Sequence, residues 1–423
     1  MRVLVVAANT ERINLPTLPL GAALVAAAAA AHGHDVAFLD LMGEADPELA
    51  LRREIGVTRP DAIGVSVRNI DDQEMARPAF LLDKVRPLIA ACRSASAAPV
   101  ILGGAGFTLF PEAVLRYLDA DLGVCGEGEE AFPALLDRLE IGSDAWDLPG
   151  VFGPGHRPAE RRAAVADLDT LPEPGPRLWA SADVARLDVW VPVQTRRGCP
   201  FRCSYCSTPL IEGCHLRCRS PQLVAEQLAR MAAAGVQRVQ FVDNVFNIPR
   251  DHVLALCRRV TALDAGVEWQ CIVYPSRLDE ELVSAMAEAG CRAVSLGFES
   301  GDDRMLRAYR KHFNAAEVRR VSELLAGHGI GRFGFLLLGG PGETRASVTA
   351  SLDFAQSLGL DLLRVTVGVR IYPGTELADA AQAEHVIARD DDLLRPRFYM
   401  TPDLEAWIHD ELAQRGIGAG PRI

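Results

Sequence analysis

The sequence predicts an α/β protein in two parts: an N-terminal doubly wound, Rossmann-like domain, then a partial (β/α)6 TIM-like barrel with a small C-terminal extension. Three observations carry this reading. Short apolar runs alternate with helical stretches up to residue 140, periodicity fades through a Pro- and Gly-rich stretch from 141 to 188, and strict alternation resumes from 189. Such alternation means parallel strands joined by crossover helices. The predicted divisions are 1–140 for the first domain, 141–188 for a connection, 189–375 for the barrel and 376–423 for a C-terminal cap.

In the first domain, strands are expected at 3–7, 36–39, 63–67, 100–102 and 122–125, with helices near 20–32, 47–55, 78–93, 111–118 and 129–139. Doubly wound sheets bind ligands beyond the carboxyl ends of their strands. The loops at 9–19, 68–73, 103–111 and 126–129 are therefore the candidate ligand loops. Two are Gly-rich: Gly103, Gly104 and Gly106, followed by Phe107, come after the fourth strand, and Gly126-Glu127-Gly128 after the fifth. A missing Cβ lets backbone approach a ligand. Neither loop is a GxGxxG fingerprint, and a tight strand-to-helix turn explains each equally well.

The connection is marked by Pro149, Gly150, Gly153, Pro154, Gly155, Pro158, Pro172 and Pro174. Barrel strands are then expected at 189–195, 238–243, 268–274, 293–299, 331–338 and 363–371. Such barrels place their chemistry at the carboxyl ends of the strands. A cysteine-rich loop follows the first of them.

Composition limits the function classes. The 423 residues suit two or three domains, and 49% apolar with 24% charged residues is ordinary for a globular chain. A net charge of −12 opposes attraction to nucleic acid or anionic membranes. The Ala-rich stretch 22–31 is far short of the roughly 20 residues of a membrane span. The apolar run after Met1 is too brief for a signal peptide, and ten cysteines in such a chain imply reduced thiols and a cytoplasmic location.

The loop reads Cys199-Pro-Phe-Arg-Cys203-Ser-Tyr205-Cys206. An electron-transfer cube normally takes four thiolates, and three leave one iron open to a small molecule. A zinc or four-ligand site completed from Cys214, His215 and Cys218 is the competing reading. Cys92, Cys125, Cys257, Cys271 and Cys291 lie in apolar segments and read as core.

The Cys-x3-Cys-x-aromatic-Cys pattern after a first barrel strand resembles the signature of the radical S-adenosylmethionine (radical SAM) superfamily. Ser66 in the third strand, the Gly103-Gly104 pair and the Gly126–Glu130 turn ahead of it resemble the cobalamin-binding domain of cobalamin-dependent radical SAM enzymes. The resemblance implies a [4Fe-4S] cluster on Cys199, Cys203 and Cys206, which are then also the catalytic residues, with S-adenosylmethionine on the open iron. It implies a cosubstrate site drawing on Tyr205, Asp243, Glu299, Ser300, Gly339, Gly340 and Tyr372. Asp243 is expected to accept from the ammonium and Glu299 from ribose hydroxyls or the amino group; a helix-entry acid is the other reading of Glu299. Cobalamin is expected against Thr10, Ser66, Arg68, Asn69, Gly103, Gly104, Gly106, Phe107, Gly126, Glu127 and Gly128. Classical cobalamin domains carry Asp-x-His-x-x-Gly after the first strand, but the loop at 9–16 has no His. A base-off corrinoid with no protein imidazole on cobalt is expected. His32 and His34 read as solvated.

The implied function is C-methylation of an unactivated carbon in a small-molecule, lipid or natural-product substrate, through a 5′-deoxyadenosyl radical and methylcobalamin. The alternative within the family is cyclisation or ring rearrangement without methyl transfer. A cobalamin sensor with a degenerate barrel would need a broken cysteine loop, and all three thiols are present. A reducing partner such as flavodoxin or ferredoxin is implied, with no nucleic acid and no membrane span.

Overall fold

The computed structural model describes residues 1–11, 18–174, 190–264 and 266–418. It divides into two compact units, the first drawing its described residues from Met1–Asp72, Pro78–Ser181 and Leu210–Glu212, and the second from Gln73–Arg77, Ala182–Pro209 and Gly213–Ile423. The stretch 12–17 of the first ligand loop and 175–188 of the expected connection lie outside the described residues.

The first unit runs β1 (Arg2–Ala7), α1 (Leu20–Ala31), β2 (Asp35–Asp40), α2 (Pro47–Thr58), β3 (Ala62–Ser66), α3 (Leu82–Ala95), β4 (Val100–Gly103), α4 (Ala105–Leu109), α5 (Pro111–Leu118), β5 (Leu122–Val124), α6 (Gly128–Glu140) and β6 (Val151–Phe152). The strand order is β2-β1-β3-β4-β5-β6, with every pairing parallel except β5 with β6. β1 is apolar after Arg2 because helices cover both faces of a parallel sheet. α2 begins where a side chain supplies a missing acceptor: the Asp46 carboxylate accepts the Leu49 amide at 3.0 Å ahead of Pro47. Val3, Val5, Ile101, Phe132 and Leu135 form the core.

Part of the expected connection belongs to this unit. β6 adds an antiparallel edge, Ala145, Val151 and Ala163 enter the core, and Val165, Leu168 and Leu171 form a small cluster. The Pro and Gly residues interrupt regular elements here without freeing the chain from the core.

The second unit runs β7 (Val191–Val193), β8 (Arg196–Arg197), β9 (Arg217–Cys218), α7 (Pro221–Ala233), β10 (Arg238–Phe241), α8 (Arg250–Leu263), β11 (Glu268–Val273), α9 (Glu280–Glu288), β12 (Cys291–Glu299), α10 (Asp303–Ala308), α11 (Ala315–Gly327), β13 (Gly331–Leu338), α12 (Arg345–Ser357), β14 (Leu362–Val367), β15 (Val369–Arg370), α13 (Glu376–Ala383), β16 (Phe398–Tyr399) and α14 (Glu405–Gln414). Its main sheet is all parallel in the order β7-β10-β11-β12-β13-β14, the sequential order of a partial barrel. Trp269, Cys271 and Val273 share one buried face of β11, and Trp269 meets Phe241 edge-on at 5.2 Å. The C-terminal residues are built into this unit: β16 pairs with β15, and the Thr401 amide donates to the Gly339 carbonyl at 2.8 Å.

Candidate active site

The cysteine loop is clamped from several directions. β8 and β9 pair on either side of it, the Arg219 amide donates to the Thr195 carbonyl at 2.8 Å, and the Cys199 amide to Gly213 at 3.0 Å. Gly198 is required there: it has φ +90°, and a Cβ would lie 2.2 Å from the His215 carbonyl oxygen. The Ser204 amide donates to the Tyr309 carbonyl at 3.2 Å, and the Ser204 carbonyl accepts the Leu377 amide at 2.9 Å. Phe201 stacks on Tyr274 with centroids 3.8 Å apart.

Cys199 is buried, and Cys203 and Cys206 are half-buried. Among the described residues, neither these three nor Cys214, His215 and Cys218 form a set of ligand atoms all within 4.8 Å of one another. A single tetrahedral zinc ion with bonds of about 2.3 Å needs a set that tight. Three thiols on one loop suit a cluster whose irons are bound one to a cysteine. Burial pushes the Cys203 thiol up, while the Lys311 charge pulls it down.

Three acidic or hydroxyl groups stand at strand ends, with different employments. Asp243, expected to take the cosubstrate ammonium, is fully buried just beyond β10 and occupied by its own chain. Its Oδ1 accepts the Thr195 and Arg196 amides at 2.7 and 3.1 Å, its Oδ2 accepts the Thr195 hydroxyl at 2.6 Å, and Arg196 Nε lies 3.5 Å away. This carboxylate ties the segment after β7 to the end of β10. Ser300 is likewise buried; its Oγ lies 2.8 Å from Ser351 Oγ and accepts the Asp302 amide at 3.1 Å, bracing the turn into α10. Glu299 differs. It takes φ +66° where the β12–β13 register slips, a costly conformation for a residue with a Cβ. Its Oε1 accepts the Tyr205 hydroxyl at 3.0 Å and Lys311 Nζ at 3.3 Å. It is not a helix-entry acid, because the α10 cap is Asp302, which accepts the Arg304 and Met305 amides at 2.7 and 3.1 Å. Burial and the Glu299 charge keep the Tyr205 phenol protonated. Lys311, twelve residues beyond Glu299 and outside any motif, gave no sequence signal.

After β13, Gly339 and Gly340 donate their amides to Glu343 Oε2. A Cβ on Gly340 would lie 2.3 Å from the Tyr309 hydroxyl, and one on Gly339 would lie 2.5 Å from Met400 Cε. Close packing within the chain therefore already demands glycine here. Glu343 Oε1 is buried without a hydrogen-bond partner, and burial pushes this carboxyl up to about 7. Tyr372 lies 4.9 Å below the Arg370 guanidinium, and its carbonyl accepts the Thr375 hydroxyl, which caps α13 at the Ala378 amide.

In the first unit, Ser66, Gly104 and Gly106 meet where β3 and β4 end. A Cβ on Gly104, at φ +94°, would lie 2.6 Å from the Val67 carbonyl and 3.0 Å from Ser66 Oγ, and the Gly106 amide donates to that carbonyl at 3.0 Å. Arg68 and Asn69 follow on the next loop, Arg68 exposed; Gly103 has its nearest neighbour 3.8 Å from a would-be Cβ. Thr10 donates to Glu11 at 3.3 Å.

Four of the features expected in this unit are taken up in its own packing. Phe107 is fully buried, and a Cβ on Gly123 would lie 2.1 Å from its ring, so it packs under β5 as core. Glu127 Oε2 accepts the Val165 amide at 2.8 Å, and a Cβ on Gly126 would lie 2.3 Å from the Ala163 carbonyl, so this turn holds the returning chain. Gly128 admits Val25 of α1, 3.0 Å from a would-be Cβ. His34 is buried rather than solvated, with Nε2 3.4 Å from Asp137, and it precedes β2 at the amino ends of the strands.

Residues 7–136 match the family model of the B12 binding domain, and residues 193–355 match that of the Radical SAM superfamily. The chain thus carries a B12-binding domain followed by a radical SAM domain. The radical SAM domain makes it an enzyme, and the two domains together are those that use a [4Fe-4S] cluster, S-adenosylmethionine and cobalamin. This cobalamin-binding radical SAM enzyme is 27% identical over 407 residues to an uncharacterized methyltransferase of Pyrococcus horikoshii, covering 92% of this chain and 84% of that protein. It is 26% identical over 439 residues to the tryptophan 2-C-methyltransferase of Streptomyces laurentii, covering 88% and 73%. Its fold matches the structure of the radical SAM methyltransferase TsrM of Kitasatospora setae, solved with tryptophan and a SAM analogue, with a TM-score of 0.84 at 23% identity over 97% of this chain and 87% of that one.

Proposed function

We propose that the chain is a cobalamin-dependent radical SAM C-methyltransferase acting on an unactivated carbon of a small molecule. The observation that carries this is the clamped Cys199–Cys206 loop bonded through Tyr205 to the strained Glu299, in one chain with a cobalamin-binding unit. The two relatives above, each aligned over most of its length, are both methyltransferases.

When bound, the cluster supplies one electron to the sulfonium cosubstrate and the corrinoid supplies a transferable methyl group. The protein's part is placement. Cys199, Cys203 and Cys206 would hold three irons of the cluster. Glu299 keeps Oε1 on Tyr205 and Lys311, which aims the second oxygen, without a partner among the described residues, for a hydroxyl or ammonium of the cosubstrate. Asp243 is a strap in this reading, and its place as ammonium acceptor passes to Glu299. The turn at Gly339 and Gly340, its amides held by Glu343, would lie beside the nucleoside. Ser66, Arg68, Asn69, Gly103, Gly104 and Gly106 line the corrinoid side of the first unit. The corrinoid would bind base-off with no imidazole from the chain, a reading supported by the place of His34, buried with Nε2 3.4 Å from Asp137 at the opposite strand ends. No described helix is long and apolar enough to cross a membrane. The proposed setting is the cytoplasm, with a flavodoxin or ferredoxin as electron donor.

Anaerobic reconstitution followed by methyl-deuterated S-adenosylmethionine and extracts of the producing cell tests the reading. Deuterium in a product, with S-adenosylhomocysteine and 5′-deoxyadenosine in comparable amounts, is expected. Release of 5′-deoxyadenosine without the homocysteine product would transfer the assignment to cyclisation or rearrangement. Persistence of 5′-deoxyadenosine after Cys199→Ala, Cys203→Ala and Cys206→Ala would overturn the whole reading.

A further inference from the structure

Lys311 is a buried cation beside the cysteine loop, and the proposed placement of the cosubstrate uses it only to hold Glu299, leaving its charge without a stated part in the chemistry. We infer that Lys311 is a charge-compensating positioning residue: a fixed positive charge that favours the electron-rich, reduced state of a cluster held by Cys203 and its neighbours. The inference rests on the assignment of Cys199, Cys203 and Cys206 as the cluster ligands.

The side chain is only 6% exposed. Its Nζ donates to the Gly297 carbonyl at 3.4 Å and to Glu299 Oε1 at 3.3 Å, and it lies 5.4 Å from the Tyr205 ring centre and 5.9 Å from that of Phe313. The backbone holds it there: Arg310 takes φ +56° after α10, and the Lys311 amide donates to Leu306 at 2.9 Å. Burial alone would expel the proton, but Glu299, Cys203 and Tyr274 outweigh it, so the ammonium stays charged.

A cluster bound by three thiolates beside Glu299 becomes more negative by one unit when it takes an electron from its reductant. In a site shielded from salt, one buried ammonium offsets that charge far better than it would at the surface. Glu299 is then both the partner that keeps Lys311 charged and the counter-charge that limits its effect. The two residues should move the cluster in opposite directions.

The test is redox titration of the reconstituted holoenzyme, following the electron paramagnetic resonance signal of the reduced cluster. At a fixed solution potential, Lys311→Met is expected to lower the ratio of reduced to oxidised cluster by about tenfold or more, equivalent to about 59 mV for one electron. Lys311→Arg is expected to hold the ratio within about threefold of the original, and Glu299→Gln to raise it. Iron-loaded Lys311→Met with an unchanged ratio, or Lys311→Arg falling as far as Lys311→Met, would overturn the inference. If Lys311→Met takes up no cluster, Glu299→Gln decides, since a ratio that is unchanged or lowered is equally fatal. Unaltered protein that takes up no cluster would instead sink the ligand assignment, and this inference with it.

Discussion

Asp243 and Glu299 are both acids at the carboxyl ends of parallel strands, and the chain spends them differently. Asp243 joins segments 48 residues apart in a dry site, where losing one partner of a buried pair costs about 3–5 kcal/mol. Asp243→Asn should lower stability by that amount in urea unfolding of the apoprotein. Tyr205→Phe, which removes one hydrogen bond to a carboxylate, should cost about 2 kcal/mol and leave the backbone of the loop in place. The cysteines and Glu299 were legible because their chemistry is local: thiol spacing on one loop, an acid after a β-run. The different fate of Asp243 was not, since it depends on Thr195 and Arg196 arriving from another strand. Lys311 was hidden for the same reason, reaching Glu299 from beyond an intervening helix.

The turn from β13 to α12 carries its own pH dependence. Glu343 releases its proton at about 7 in the folded chain, against an ordinary 4.5, because burial disfavours its charge. The native state therefore binds more protons than the unfolded chain between those values. The stability this carboxyl contributes is complete below about 4.5 and declines as pH rises through about 7, by on the order of 3 kcal/mol in total. Glu343→Gln should flatten that slope in urea midpoints taken at about pH 5 and about pH 8. In the same turn, Gly340→Ala would drive a methyl into the buried Tyr309 hydroxyl and should cost about 1–3 kcal/mol, read as a lowered urea midpoint. The sequence marked this turn by its glycines but gave no sign that Glu343 gathers their amides, because the loop closes only when Tyr309 and Met400 pack on it. β6 escaped notice for a related reason: two residues show no periodicity, and only pairing with β5 makes them a strand.

The two sheets have different strand orders, and the sequence spoke unequally about them. Crossover helices in both imply parallel strands, and the Pro/Gly stretch separates the halves. Where the first unit ends is set instead by burial of Val151, Ala163 and Val165. A chain ended at residue 140 should therefore lack the cooperative urea transition that a chain ended at residue 174 retains, because it bares the β5 edge and removes part of the core. At the other terminus, the Leu377 amide bonded to the Ser204 carbonyl, with Arg310 paired to Glu376, makes the last fifty residues part of the support of the cysteine loop. In a genetic screen, nonsense changes after codon 371 would then fall in the same phenotypic class as loss of a cysteine ligand: polypeptide that accumulates but comes off a column colourless.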